Sequence, residues 1–351
     1  MLEFTCETLP TRVVFGPGTL ERLPEELARL GVSRALLLST PGQRTLAEEI
    51  VGRLGHRAAG IYSRATMHVP VEVAEEARRE AERLGADCCL AVGGGSTIGL
   101  GKAIALTSSL PVVAVPTTYA GTEMTPIWGL TEGGLKKTGR DRRVLPRLVI
   151  YDPALTAGLP ASVSGPSGMN ALAHCVEALY APDANPITSL MAEEGIRTLS
   201  ASLPVVVREP ANLEARSQAL YGAWLAGSSL GAVSMGLHHK LCHTLGGTYN
   251  LPHADVHAVI LPHVAHYNST AAPEAMSRIA EALGAPDAPA GLYDLAQNLG
   301  TKTALKVLGM DPARLDEAAD LATQNPYSNP APVTREGVRA LLEHAYHGHR
   351  P

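Results

Sequence analysis

Histidines crowd one short stretch of this chain. In Gly236-Leu-His-His-Lys-Leu-Cys-His-Thr-Leu-Gly-Gly247, His239 and His243 stand four residues apart, and Asn250-Leu-Pro-His-Ala-Asp-Val-His257 follows at once. Upstream, Ser167-Gly-Met-Asn-Ala-Leu-Ala-His174 sets Asn170 and His174 at the same spacing. Residues at i and i+4 share a helix face. Two such pairs plus His253 can converge on one pocket, and a pocket of imidazoles can bind a metal, move protons or hold an anion. His238 and Lys240 flank the cluster. Consecutive residues lie about 100° apart around a helix, so these two need a bend or a broad pocket to join His239 and His243. Taken alone, His174 reads as a hydrogen-bonded core residue on an apolar helix face. His257 and His263 flank an apolar run and read as packing. His266, His344, His347 and His349 read as surface or solvated residues. Glu123 and Asp255 read as surface carboxylates or as groups that orient a neighbour.

A second kind of chemistry belongs to Gly93-Gly-Gly-Ser-Thr-Ile-Gly-Leu-Gly-Lys102, which follows a strand-like run ending at Val92. Strand, triple glycine and helix together form either a tight turn with no ligand or, as favoured here, a cradle for a phosphate. The backbone approaches the anion, free N–H groups point at it, and the helix N-terminus adds favourable partial charge. Gly93, Gly94, Gly95, Ser96 and Thr97 are the candidate contacts, although the spacing is not the usual dinucleotide fingerprint. A second polar turn, Pro116-Thr-Thr-Tyr-Ala-Gly-Thr-Glu123, offers Thr117, Thr118 and Thr122 at the carboxyl end of the next strand. A third, Ser39-Thr40, closes the strand at 35–39. An acidic residue there would repel a 2′-phosphate, whereas Ser39 and Thr40 are neutral. NADPH as well as NADH is therefore expected to be accepted.

These turns need a scaffold. Apolar runs at 35–39, 60–62, 88–92, 112–115 and 148–151 alternate with helical patterns at 46–54, 71–84 and 98–108. That rhythm predicts a mostly parallel sheet covered on both faces, in a domain spanning 1–155. From 156 to 351 the rhythm is helical, with stretches at 167–181, 186–203, 211–230, 234–245, 274–284 and 335–347 punctuated by prolines. The stretch 324–334 reads as a loop. The fold class is thus α/β plus all-α: a Rossmann-like parallel domain followed by a helical catalytic domain.

Composition narrows the function. The chain has 351 residues, enough for two domains. A net charge of -5 without a long basic run excludes a nucleic-acid footprint. No apolar stretch is long enough to span a bilayer, and the N-terminus does not read as a signal peptide. Five scattered cysteines suit a reducing cytoplasm. Cys88 and Cys89 are adjacent in an apolar run, so they should point to opposite faces of a strand and serve packing.

The motifs together resemble the iron-containing alcohol dehydrogenase superfamily, and within it the maleylacetate reductases. The resemblance runs over nearly the whole chain. It includes Arg12-Val-Val-Phe-Gly-Pro-Gly18, the two turns above continuing to Thr131, Ser167 to His174 and Leu237 to His243. It implies a dehydroquinate synthase-like fold, a catalytic cleft between the domains, and a homodimer. It also implies reduction of the small dicarboxylate maleylacetate to 3-oxoadipate by NADH or NADPH, in resorcinol or hydroxyquinol degradation. His243, His253, His239, Lys240 and His238 are then the catalytic candidates, with His243 first for proton donation. In the iron-dependent members an Asp and three His hold the ion. The matching positions here are Asn170, His174, His239 and His253. The amide of Asn170 brings no negative charge, so metal-free catalysis is expected. Two alternatives remain: a metal-dependent alcohol dehydrogenase of the same superfamily, and a non-catalytic nucleotide- or metal-binding protein.

Overall fold

A computed structural model describes residue 4 and residues 6–133, 135–325 and 327–351. It separates into two compact units. One is Leu9–Gly158, and the other joins the described residues before Leu9 to Leu159–Pro351, so the first eight positions fall outside the unit that the 1–155 expectation gave them.

In chain order the first unit holds β1 (Arg12–Phe15), α1 (Leu23–Arg29), β2 (Ala35–Leu38), α2 (Arg44–Leu54) and β3 (Ala58–Tyr62). Then come α3 (Val71–Arg83), β4 (Cys88–Gly93), α4 (Gly95–Ser108) and β5 (Val112–Pro116). A hairpin, β6 (Ile127–Glu132) with β7 (Leu135–Arg140), and β8 (Leu148–Tyr151) complete it. Six strands form a parallel sheet in the order β1-β8-β5-β4-β2-β3. The inner strands are buried throughout, which is why β2, β4, β5 and β8 read as unbroken apolar runs. Alternation within them still selects the face. Leu37, Leu90 and Cys88 pack with Leu23, Leu27 and Ile50 of α1 and α2. Leu36, Leu38 and Cys89 pack on the other side with Ala77 and Ala81 of α3 and Ile104 of α4. The two neighbouring thiols therefore serve opposite cores, as adjacency on a strand requires, and burial holds both above the usual thiol range.

The chain passes from β2 outward to β3, then returns to place β4 on the other side of β2. This reversal opens a crevice at the carboxyl ends of β2 and β4, where sheets of this type bind ligands. Two features lie outside the expected elements. β1 is a four-residue edge strand paired only with β8, too short to show a period. The β6–β7 hairpin is antiparallel and stands apart from the main sheet. Its strands are partly exposed and charged, so no apolar run marked them.

The second unit is helical: α5 (Ala161–Leu179), α6 (Pro186–Arg208), α7 (Leu213–Ala232), α8 (Leu237–Tyr249) and α9 (His253–Asn268). It continues with α10 (Pro273–Leu283), α11 (Ala288–Asn298), α12 (Leu315–Thr323) and α13 (Arg335–His347). The parallel α/β sheet followed by helices is the expected fold class. Helix α5 is buried on all sides from Ser164 to Leu179. It packs so closely that a Cβ on Gly168 would stand 2.4 Å from the Leu203 side chain. Proline positions misled the boundaries. Pro166, Pro204 and Pro262 lie inside α5, α6 and α9 rather than ending them. Helix α9 was not anticipated because it is buried from Val256 to Ala265 and has no amphipathic period. The 324–334 connection joins α12 to α13, with residue 326 outside the described residues. Among the described residues no helix is long and apolar enough to cross a membrane.

Candidate active site

The glycine turn is built as its sequence requires. Gly93 ends β4 at φ 150°, and a Cβ there would meet Thr97 Oγ1 at 2.6 Å and Gln43 Oε1 at 2.7 Å. A Cβ on Gly94 would press on Thr118 at 3.0 Å. A side chain at either position would fill the crevice, so the glycines keep a backbone cradle at the start of α4. Around it, Ser39 Oγ and Thr97 Oγ1 are buried with no protein partner. Gln43 Nε2 donates to Thr117 Oγ1 at 2.7 Å, and Thr40 Oγ1 donates to Gln43 Oε1 at 3.3 Å. Thr122 accepts a hydrogen bond at Oγ1 from Lys102. The three polar turns thus belong to the carboxyl ends of β2, β4 and β5. Buried hydroxyls without protein partners beside a glycine cradle fit a dinucleotide. Gln43, which links two of the turns, was missed because a lone glutamine carries no spacing signal.

The imidazoles gather within the helical unit. His174 comes from α5, His238, His239 and His243 from α8, and His253 and His257 from α9. His174 and His239 stack with ring centres 5.0 Å apart. His239 and His243 are separated by 6.3 Å, as are His243 and His253. His257 joins rather than packs elsewhere: its ring centre lies 4.6 Å from His253, 4.8 Å from His238 and 5.3 Å from His239. Its Nδ1 is 2.8 Å from His238 Nε2 and its Nε2 is 3.2 Å from His253 Nε2. The i, i+4 step from His253 to His257 held this information. His238 joins without a bend, because α9 brings His257 against the second face of α8. Lys240 turns away, with Nζ 5.9 Å from the centre of the Tyr327 ring. Burial, reinforced by the neighbouring rings, holds His238 and His257 well below the usual imidazole range, so both are neutral.

Glu177, which sequence reading overlooked, organises the cluster. It lies one turn beyond His174 on α5 and is 1% exposed. Its carboxylate accepts from Gly236 N and His238 N, each at 2.9 Å, and from His239 Nδ1 at 2.6 Å. The first two contacts place an anion at the amino end of α8, where the helix dipole favours it. The third fixes a tautomer. A carboxylate only accepts, so His239 carries its proton on Nδ1 and, when neutral, leaves Nε2 bare. His174 Nδ1, 2.9 Å from that nitrogen, must then be the donor. Neither contact nitrogen of this pair has a proton to give a ligand. A glutamate in an otherwise apolar helix, three residues after a histidine, was the available signal.

The donors at 170, 174, 239 and 253 were weighed against a divalent ion. Asn170 Oδ1 is buried without a protein partner, but it is a neutral amide oxygen. His239 Nε2 and His253 Nε2 are already hydrogen-bonded to other imidazoles. Such a set, three imidazoles and an amide oxygen, brings no negative charge and attracts a divalent ion less strongly than one with an aspartate at position 170. His238 Nε2, Cys242 Sγ and His257 Nδ1 also lie within 4.8 Å of one another. There burial and Glu177 hold the thiol well above its usual range, so an ion would have to displace its proton to bind.

Glu123 is fully buried rather than on the surface, and its Oε1 accepts from Tyr151 OH at 2.9 Å. Asp255 is partly buried, 3.9 Å from Lys302 Nζ.

Comparison with known proteins agrees with this architecture. The profile of the iron-containing alcohol dehydrogenases matches residues 10–153, and that of the C-terminal part of the Fe-containing alcohol dehydrogenase family matches residues 165–346. Maleylacetate reductase of Burkholderia cepacia is 60% identical over the full length of both chains. Maleylacetate reductase of Sphingobium indicum is 54% identical over 100% of this chain and 99% of its own. The crystal structure of maleylacetate reductase from Agrobacterium tumefaciens superposes with a TM-score of 0.96 at 52% identity, covering 100% of both chains. The chain belongs to the iron-containing alcohol dehydrogenase family of oxidoreductases.

Proposed function

We propose that this chain reduces the carbon–carbon double bond of maleylacetate to give 3-oxoadipate, with NADH or NADPH as reductant and imidazoles in place of a metal ion. The substrate follows from the full-length similarity to maleylacetate reductases. The metal-free reading rests on one observation above all: a connected group of six imidazoles, of which only His243 and His253 are partly exposed, with the neutral Asn170 one helical turn before His174.

The substrate is an alkene conjugated to a ketone, with a carboxylate at each end. The bound nicotinamide supplies a hydride to the alkene carbon β to the ketone. Gly93, Gly94, Gly95, Ser96, Thr97, Thr117, Thr118 and Thr122 hold the cofactor, with Ser39 and Thr40 at its ribose. Negative charge then develops on the ketone oxygen as an enolate, which needs preorganised donors. A proton must also reach the α carbon, and the group that delivers it must be recharged from solvent each turnover. Buried, neutral His238 and His257 cannot exchange freely. His239 and His174 are committed to Glu177 and to each other. His243 is therefore the proton donor, with His253 beside the enolate oxygen. Asn170 lines the pocket as a neutral polar group. Lys240, turned toward Tyr327, is left at most a remote influence on a substrate carboxylate. The reading also includes the homodimer and the cytoplasmic location that the family resemblance and the scattered thiols suggest.

The test is loss of nicotinamide absorbance on adding freshly generated maleylacetate, with 3-oxoadipate as product. NADH and NADPH are expected to serve within about tenfold of each other, because no acidic side chain closes β2. Simple alcohols with added iron or zinc are expected to give no comparable turnover. Alcohol oxidation without maleylacetate reduction would replace this reading with that of a metal-dependent alcohol dehydrogenase.

A further inference from the structure

Helix α4 carries one lysine among apolar residues, and that lysine faces inward. Lys102 is fully buried. Its Nζ donates to the backbone oxygens of Thr122, Thr125 (2.8 Å) and Ile127 (2.9 Å), and to the hydroxyls of Thr125 (2.9 Å) and Thr122 (3.2 Å). Three ammonium protons thus meet five oxygens, all from the segment between β5 and the start of β6. Buried backbone oxygens must find donors, and here one side chain reaches three of them, although Thr122 O also accepts from Thr125 N and Oγ1. Among the described residues no carboxylate forms an ion pair with the ammonium. Glu123, buried in the same segment, bonds Tyr151 instead. A buried charge is costly unless its surroundings require it, and burial pulls this amine down to about 7 against the opposing pull of Glu123. An apolar side chain in the same space would avoid that cost but leave the surrounding oxygens without the ammonium donor.

We propose that Lys102 is a positioning residue for the nicotinamide cofactor, acting from inside the protein through the hydroxyl of Thr122. This rests on the reading above in which Thr122 contacts the cofactor. A hydroxyl that accepts from an ammonium keeps its own proton to donate. Lys102 therefore presents Thr122 as a donor, suited to a phosphate or carboxamide oxygen. It also links the helix that begins at the glycine cradle to the turn after β5, so the two halves of the cofactor site share one anchor.

The experiment is NADH titration by fluorescence of the full-length protein carrying Lys102→Met, Thr122→Val, or both. Each single variant is expected to raise the Kd for NADH about tenfold, with the KM for maleylacetate changed less than about twofold. The double variant is expected to be no weaker than about twenty-fold, because the two changes break one interaction. A double variant weakened about a hundredfold means the lysine acts independently of Thr122 and overturns the proposal. Thr122→Val with unchanged affinity removes Thr122 from the cofactor site and the proposal with it. Thr122→Val weakened with Lys102→Met unchanged leaves the cofactor contact standing but overturns the role of the lysine. Lys102→Arg keeps a cation and is expected to bind NADH more tightly than Lys102→Met. Failure of both lysine variants to fold would make the residue a structural cross-link and also overturn the assignment.

Discussion

Replacing His243 with alanine is expected to lower kcat for maleylacetate by about 10²–10⁴-fold, the usual contribution of a positioned proton donor. The fold should survive. His243 is partly exposed on α8, and the buried face of that helix is carried by Leu237, Leu241, Cys242 and Leu245. The affinity for NADH is expected to change less than kcat, because the turns proposed to hold the cofactor lie outside α8, within Leu9–Gly158. His253→Ala is expected to lower kcat by a smaller factor, since neighbouring imidazoles can still face the enolate. Steady-state kinetics with both variants check this. Near-normal turnover in both would remove the proposed mechanism.

Glu177→Gln is expected to damage the same step by a different route. The carboxylate satisfies two backbone N–H groups at the start of α8 and the Nδ1–H of His239. A glutamine keeps one oxygen and turns an NH₂ toward donors. At least one buried donor then loses its partner, at a cost of about 1–3 kcal/mol. His239 is also released from its tautomer, so its Nε2 can carry the proton and the His174 contact reverses. An amide that permits the wrong tautomer can cost a histidine site several orders of magnitude in rate. Here a fall in kcat of about 10²-fold is expected, because His239 acts beside the proton donor rather than as it. Thermal unfolding and kinetics well below the melting temperature separate the two effects. A variant that is less stable but turns over normally would confine Glu177 to capping α8.

Legibility in the sequence followed physical pattern. Strands buried on both faces announce themselves as apolar runs, and β2, β4, β5 and β8 were found that way. The glycine cradle was legible because only glycine tolerates the crowding at positions 93 and 94. The i, i+4 steps exposed His239 with His243. What failed also has a reason. Helix α9 is buried on all sides from Val256 to Ala265 and contains Pro262, so no amphipathic period marked it, and with it went the central place of His257. Glu177 and Lys102 are single charged residues in buried helices. Each has its meaning in what another element brings against it: the amino end of α8 in one case, the 122–127 segment in the other. Lys240 shows the converse. Its place in the motif suggested the cluster, and its Nζ also stands 5.9 Å from the centre of the Tyr327 ring, a neighbour no spacing announced.

The claim on which the rest depends is that imidazoles, with Asn170 among them, do without an ion the work that a charged metal centre would do. The direct measurement is turnover of freshly generated maleylacetate by protein exhaustively treated with chelator, with iron and zinc quantified in the same sample. Undiminished kcat at metal contents far below one ion per chain is the expected result. Activity that vanishes with the metal and returns on adding iron or zinc would contradict it.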